Sequence, residues 1–243
     1  MSDEAPEFDP AAVPTGDGLL KREHFSAEGL RYYAELSRRE GMSVMSEEAR
    51  AASLRETMAA VAPGSDVWVF GYGSLMWNPL IRVVESRTAR ADGFNRHFCL
   101  TQKVGRGTPD KPGLMLALDE GGSCTGVVHR VAAADVESEL ALLWQREMMS
   151  GAYCPNWIDT AAGGEIVRAV TFVVDRRHDR YEGVLPAETV ARRIAAAEGV
   201  LGTNRDYLYR TAEHLTQLGI ADAAIAQLAA RVRELENQTG ESP

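Results

Sequence analysis

Residues 67–79 read VWVFGYGSLMWNP, and the reading of this stretch decides how the rest of the chain is arranged. Val67, Trp68, Val69 and Phe70 make a short apolar run suited to a buried strand. The run breaks at Gly71, Gly73 and Ser74, after which apolar residues resume. Two glycines separated by one residue let backbone approach a ligand closely and permit positive φ, so that consecutive N–H groups can point at an anion or a polarised carbonyl. The same spacing also makes an ordinary turn or bulge, and the residues alone leave the two readings level. A dinucleotide fingerprint is excluded, because its third glycine would fall where Met76 stands, with Pro79 close behind. A phosphate loop is excluded by the lack of a Gly-Lys-Ser/Thr ending. Ser74 as the nucleophile of a Gly-x-Ser-x-Gly elbow fails at Met76 as well.

The chain has 243 residues, room for one large domain or two small ones. Hydrophobic residues make up 45% and charged residues 25%, the proportions of a soluble globular protein. A formal net charge of −9 argues against a general nucleic-acid binder, which needs surplus Lys and Arg to displace counterions. The start, MSDEAPEFDP, lacks a basic segment followed by an apolar core, and no apolar run approaches the roughly 18 to 20 residues of a membrane helix. The expectation is a cytoplasmic protein with no membrane partner. Cys99, Cys124 and Cys154 are odd in number and widely spaced, which suits reduced thiols filling a core. His24, His97, His129, His178 and His214 show no metal-ligand spacing, so no metal is expected.

The division expected is a mobile tail over residues 1–18, a helical N-terminal extension over 19–65 and a catalytic domain over 66–243. Residues 26–62 carry helical periodicity with a break near Gly41, predicting two helices. After the 67–70 strand, residues 81–91 and 94–102 read as strands joined by a hairpin at Asp92-Gly93. Residues 104–112 form a Gly- and Pro-rich loop with Arg106 and Lys111. Two more strands, 114–118 and 125–131, flank a turn at Glu120-Gly121-Gly122. Asp135 caps a helix to about Met149; 167–174 reads as a strand; 189–198, 204–218 and 222–235 read as helices. Strands in the middle with helices at both ends define an α+β fold.

On the helix after Asp135, Val136, Leu140, Leu143 and Glu147 lie within roughly 60° of one another. Glu147 therefore sits on the apolar stripe. Such a carboxylate is either paired with a basic neighbour, Arg146 or Arg96, or held in a desolvated pocket where its pKa rises and where active sites concentrate.

Four segments, VFGYGSLMWNP at 69–79, RGTPDKPGLMLALDEGG at 106–122, LLWQREMMSGAYCPNW at 142–157 and GTNRDYLY at 202–209, occur in an order that resembles the bacterial branch of the ChaC family. Members of that family are γ-glutamylcyclotransferases acting on glutathione. The resemblance runs from about Ser46 to the C-terminus and implies a small mixed β-barrel, γ-glutamylcyclotransferase-like, flanked by N- and C-terminal helices. It implies an intramolecular acyl transfer releasing 5-oxoproline, with no cofactor. It also favours the functional reading of Glu147, as general base and then acid. It implies that the loop of Gly71, Tyr72, Gly73, Ser74, Leu75 and Met76 grips the γ-glutamyl group, with its N–H groups stabilising the oxyanion. Tyr153 and Tyr207 are candidates for shaping the pocket, and Arg96, Arg106 and Lys111 for meeting substrate carboxylates. Two rival readings remain, a cyclotransferase for other γ-glutamyl amines and a non-catalytic γ-glutamyl-binding or regulatory module.

Overall fold

The computed structural model describes residues 18–240; nearly all of the tail expected over 1–18 lies outside them. Ser26 and Ser46 start the first two helices, α1 (Ala27–Arg39) and α2 (Glu47–Met58), by accepting hydrogen bonds from the N–H groups of Gly29 and Ala49. The break at Gly41 falls between them, as the sequence predicts. Among the described residues no helix is long and apolar enough to cross a membrane.

The first strand, β1 (Val67–Gly71), runs antiparallel to β3 (Gly113–Val131) and parallel to β5 (Glu165–Val174). With β2 (Glu85–Gln102) and β4 (Tyr153–Ala162) these strands close a mixed barrel in the order β1-β3-β2-β4-β5. Two expectations are corrected here. Asp92-Gly93 does not turn the chain: β2 continues through it, with a register shift between Asp92 and Phe94. Nor do Gly121 and Gly122 form a turn between two strands, since β3 continues through them at positive φ. A Cβ on Gly122 would lie 2.4 Å from the Asn95 side chain. These are bulges that bend two long strands around a small barrel, and the reversal between them is residues 103–112.

The apolar stripe of α3 (Val136–Glu147) buries Val136, Leu140, Leu143 and Trp144 against Val67, Val69 and Phe172, with Leu54 and Met58 of α2 packed outside them. Asp135 precedes α3 without capping it through its side chain, which instead takes a hydrogen bond from Arg82 at 2.8 Å. Glu139 is fully buried in this helix, paired with Arg22 at 2.6 Å and with the Arg82 N–H at 2.9 Å. After β5 come α4 (Ala187–Ala196), the short strands β6 (Glu198–Gly199) and β7 (Gly202–Thr203), α5 (Asn204–Gln217) and α6 (Ala223–Gly240). Val190, Ile194, Leu208 and Val232 of these helices pack on Leu114 and Leu116 of β3. The buried Asn204 fixes the joint, its amide bonding both the N–H and the carbonyl of Leu114 at 2.7 and 2.8 Å.

Candidate active site

At the end of β1 the chain leaves the barrel as Tyr72-Gly73 and tightens into a short 3-10 turn, Ser74–Met76. Neither Gly71 nor Gly73 has the positive φ their spacing allows. Their value is close approach instead. A Cβ on Gly73 would stand 2.9 Å from the Tyr207 hydroxyl, and one on Gly71 would stand 2.9 Å from Leu75 Cβ. The N–H groups of Met76, Trp77 and Asn78 bond back to the carbonyls of Gly73 and Ser74. Gly73 leads into this turn, Ser74 and Leu75 lie within it, and the Ser74 N–H points to the Tyr207 hydroxyl.

Three buried side chains hold the loop. Arg96 donates to the Tyr72 carbonyl at 2.6 Å and to the Thr125 carbonyl, and pairs with Asp222 at 3.0 Å. His129 Nε2–H donates to the Leu75 carbonyl at 3.0 Å; burial lowers the imidazole pKa, so the neutral ring accepts from Ser86 through Nδ1 at 2.8 Å. From α3, Arg146 donates to Ser74 Oγ at 2.7 Å and to the Asn78 carbonyl.

Arg146 also stands 2.9 Å from a carboxylate oxygen of Glu147, and the two side chains are only 5% and 16% exposed. Both readings of Glu147 therefore describe it, paired and desolvated at once. Burial raises its pKa above the ordinary carboxylate value, and Arg146 offsets part of that rise. Its place on the last turn of α3 works in the same direction as burial, since a helix C-terminus disfavours negative charge. The Glu147 charge is felt by Tyr72, Tyr153 and Tyr207. Tyr72 donates its hydroxyl to the Phe172 carbonyl at 2.8 Å, and Tyr153 to that of Leu116 at 3.2 Å. Burial, reinforced by Glu147, pushes the Tyr207 hydroxyl up to about 12, so it stays protonated near neutral pH.

These groups open onto a cavity of about 230 Å³ lined by Tyr72, Gly73, Ser74, Leu75, Glu147, Tyr153 and Tyr207. Gly71 and Met76 do not line it: Gly71 pairs with Val127 in the barrel, and Met76 packs in the core beneath the C-terminal helices. Of the basic candidates only Arg106 reaches it; Arg96 is a structural clasp and Lys111 is exposed elsewhere. Sequence reasoning missed two residues that line the cavity, Arg180 and, within the first predicted helix, Tyr33. Cys99 and Cys124 are buried away from the cavity lining, their thiols pushed up to about 12 and about 11 by burial, which makes them poor nucleophiles.

The closed mixed barrel flanked by helices has a counterpart among solved structures. A solved yeast structure titled as a γ-glutamylcyclotransferase specific to glutathione superposes with a TM-score of 0.65 at 20% identity, over 70% of this chain and 96% of that one. The model of the ChaC-like proteins matches residues 67–235, and the chain belongs to that family. It is 46% identical over 191 residues to the glutathione-specific γ-glutamylcyclotransferase of Escherichia coli (strain K12), covering 78% of this chain and 83% of the relative. It is 30% identical to γ-glutamylcyclotransferase 2-3 of Arabidopsis thaliana, covering 72% and 92%.

Proposed function

We propose that the chain is a glutathione-specific γ-glutamylcyclotransferase, splitting glutathione into 5-oxoproline and cysteinylglycine, with Glu147 carrying the proton. The observation that supports this most is a desolvated carboxylate on the cavity wall, facing a loop with backbone donors, beside a guanidinium that fixes both. The substrate's α-ammonium gives a proton to Glu147. The freed amine attacks the γ-carbonyl carbon, closing a five-membered ring and placing negative charge on the carbonyl oxygen. The N–H groups of Gly73 and Leu75 supply the dipoles for that charge. Collapse breaks the C–N bond as the leaving nitrogen takes the proton from Glu147; the ring nitrogen, which closed still carrying two protons, then passes one through the restored carboxylate to the released amine, leaving the neutral lactam and an ammonium. A single group serves as base and acid because its raised pKa brings it closer to the working pH. Holding amine and carbonyl together in a small cavity supplies much of the rest. A glutathione substrate and three free thiols support the reading of a cytoplasmic reaction.

Purified protein incubated with glutathione should release 5-oxoproline and cysteinylglycine in equal amounts, read by mass spectrometry. Equal or faster release from γ-glutamyl-alanine would instead favour a broader γ-glutamyl amine cyclotransferase. Saturable binding of glutathione with no product would favour a binding module.

A further inference from the structure

Three guanidinium groups line the cavity, and their partners differ. Arg146 has the Glu147 carboxylate. Arg106 and Arg180 have no carboxylate within ion-pair distance among the described residues. Arg106 donates to the carbonyls of Gly18 and Thr203, and Arg180 to the Thr101 carbonyl, Ser150 Oγ and Gln102 Oε1. Burial lowers the pKa of both. Asp206 and Asp179 act on Arg106 and Arg180 only from beyond contact; a cation withdrawn from water with no carboxylate in contact is costly, and an entering anion relieves part of that cost. One more group on the wall is incomplete. The Tyr33 hydroxyl of α1 is buried with no hydrogen-bond partner among the described residues, an arrangement that a ligand atom would satisfy.

If the substrate is glutathione, it brings one ammonium and two carboxylates. The ammonium belongs with Glu147. Arg106 lies 5.9 Å from the ring centre of Tyr207, whose hydroxyl meets the γ-glutamyl loop, so it stands on the side of the reacting end. Arg180 comes from a different segment and keeps different neighbours. It bonds Ser150, whose carbonyl takes the Ser43 hydroxyl at 3.3 Å, so it sits where the segment after α1 joins the barrel. The family match starts at residue 67, well after this segment.

We propose that Arg180, with the Tyr33 hydroxyl, forms the subsite for the terminal carboxylate of the departing peptide, so that the segment ahead of the family core completes the substrate site. The proposal rests on the cyclotransferase reading above. It predicts selection of γ-glutamyl peptides over γ-glutamyl amines that end without a carboxylate.

Glutathione and its C-terminal amide differ only in that charge. Rates of 5-oxoproline release from both are compared for the parent, Arg180→Gln and Tyr33→Phe. Calorimetric titration of both ligands into Glu147→Gln protein reads binding without turnover. The parent should prefer glutathione by about tenfold or more in kcat/KM, mainly through KM, the size of one charged hydrogen bond. Arg180→Gln should lose far more on glutathione than on the amide, bringing the two to similar kcat/KM, and Tyr33→Phe should narrow the preference. Equal losses on both substrates would mark Arg180 as structural and overturn the proposal. Tyr33→Phe and the parent's own preference decide the matter where Arg180→Gln does not fold. Turnover indifferent to the amide sinks the subsite and leaves the reaction standing. Carboxylate-dependent binding without turnover does the reverse, and no binding of either ligand overturns both.

Discussion

Replacing Gly73 by alanine places a methyl group 2.9 Å from the Tyr207 hydroxyl, where ordinary contact begins at 3.4 Å. Something must retreat by about 0.5 Å. Tyr207 is poorly placed to do so. It is 3% exposed, with Trp77 and Phe98 set edge-on against its ring at 6.2 and 6.0 Å between centres. The loop is no freer, because Arg96 holds the Tyr72 carbonyl and Arg146 holds Ser74. Overpacking of this kind costs about 1–3 kcal/mol, and at this chain length about 2 kcal/mol corresponds to a Tm lower by roughly 4–8 °C. On the proposed mechanism, in which the Gly73 and Leu75 N–H groups receive the oxyanion, the same displacement should lower kcat by about tenfold, given that a misplacement near 1 Å costs about 10². Thermal melts and initial rates on Gly73→Ala, Tyr207→Phe and the double variant isolate the cause. Tyr207→Phe removes the clashing atom, so alanine at 73 should cost much less stability in that background, with a coupling of about 1 kcal/mol or more. An alanine that costs the same in both backgrounds, or nothing in either, would refute the close-approach argument.

The remaining expectations concern charge. Arg146→Gln withdraws the cation that favours ionised Glu147, so the Glu147 pKa should climb further and the acid limb of the kcat/KM profile should move to higher pH; an unmoved limb would contradict the pairing. Burial pushes the Glu139 carboxyl up, but Arg22 and the Arg82 N–H outweigh it and hold the pKa below the ordinary value. Its stabilisation is therefore present at neutral pH and lost as pH falls through the folded-state pKa. Because Arg22 is 47% exposed, the pair is partly screened, and Glu139→Gln should cost about 2 kcal/mol at pH 7. The gap in Tm between parent and variant should close in acid, and a gap constant from about pH 7 to pH 3 would refute the linkage.

The helices were legible because their ends carry local signals. Ser26 and Ser46 bond the N–H three residues on, Thr203 does so for Asp206, and Gly219 follows α5 at positive φ. The long strands were not, because Asp-Gly and Gly-Gly pairs satisfy a bulge as readily as a turn. Only the closing of a small barrel selects the bulge. Strand β4 contains Pro155 and Asn156 and shows no run of β-formers; its pairing with all ten residues of β5 is a tertiary effect. Glu147 was visible because one helix places it on an apolar stripe, a relation of 3.6-residue period. Its cavity neighbours Tyr33, Arg106 and Arg180 come from three separate segments, and no local pattern brings them together. The Arg146 bonds to Ser74 and Asn78 span about 70 residues and were equally hidden.

The most direct test of the central claim is kcat for 5-oxoproline release from glutathione by Glu147→Gln, beside the parent, with both melts recorded. The account predicts a folded variant slower by about 10² or more, with KM changed only a few-fold, as for removal of a group acting as general base and acid. A folded variant within about threefold of the parent would show that the proton travels by another route and that Glu147 is not its carrier.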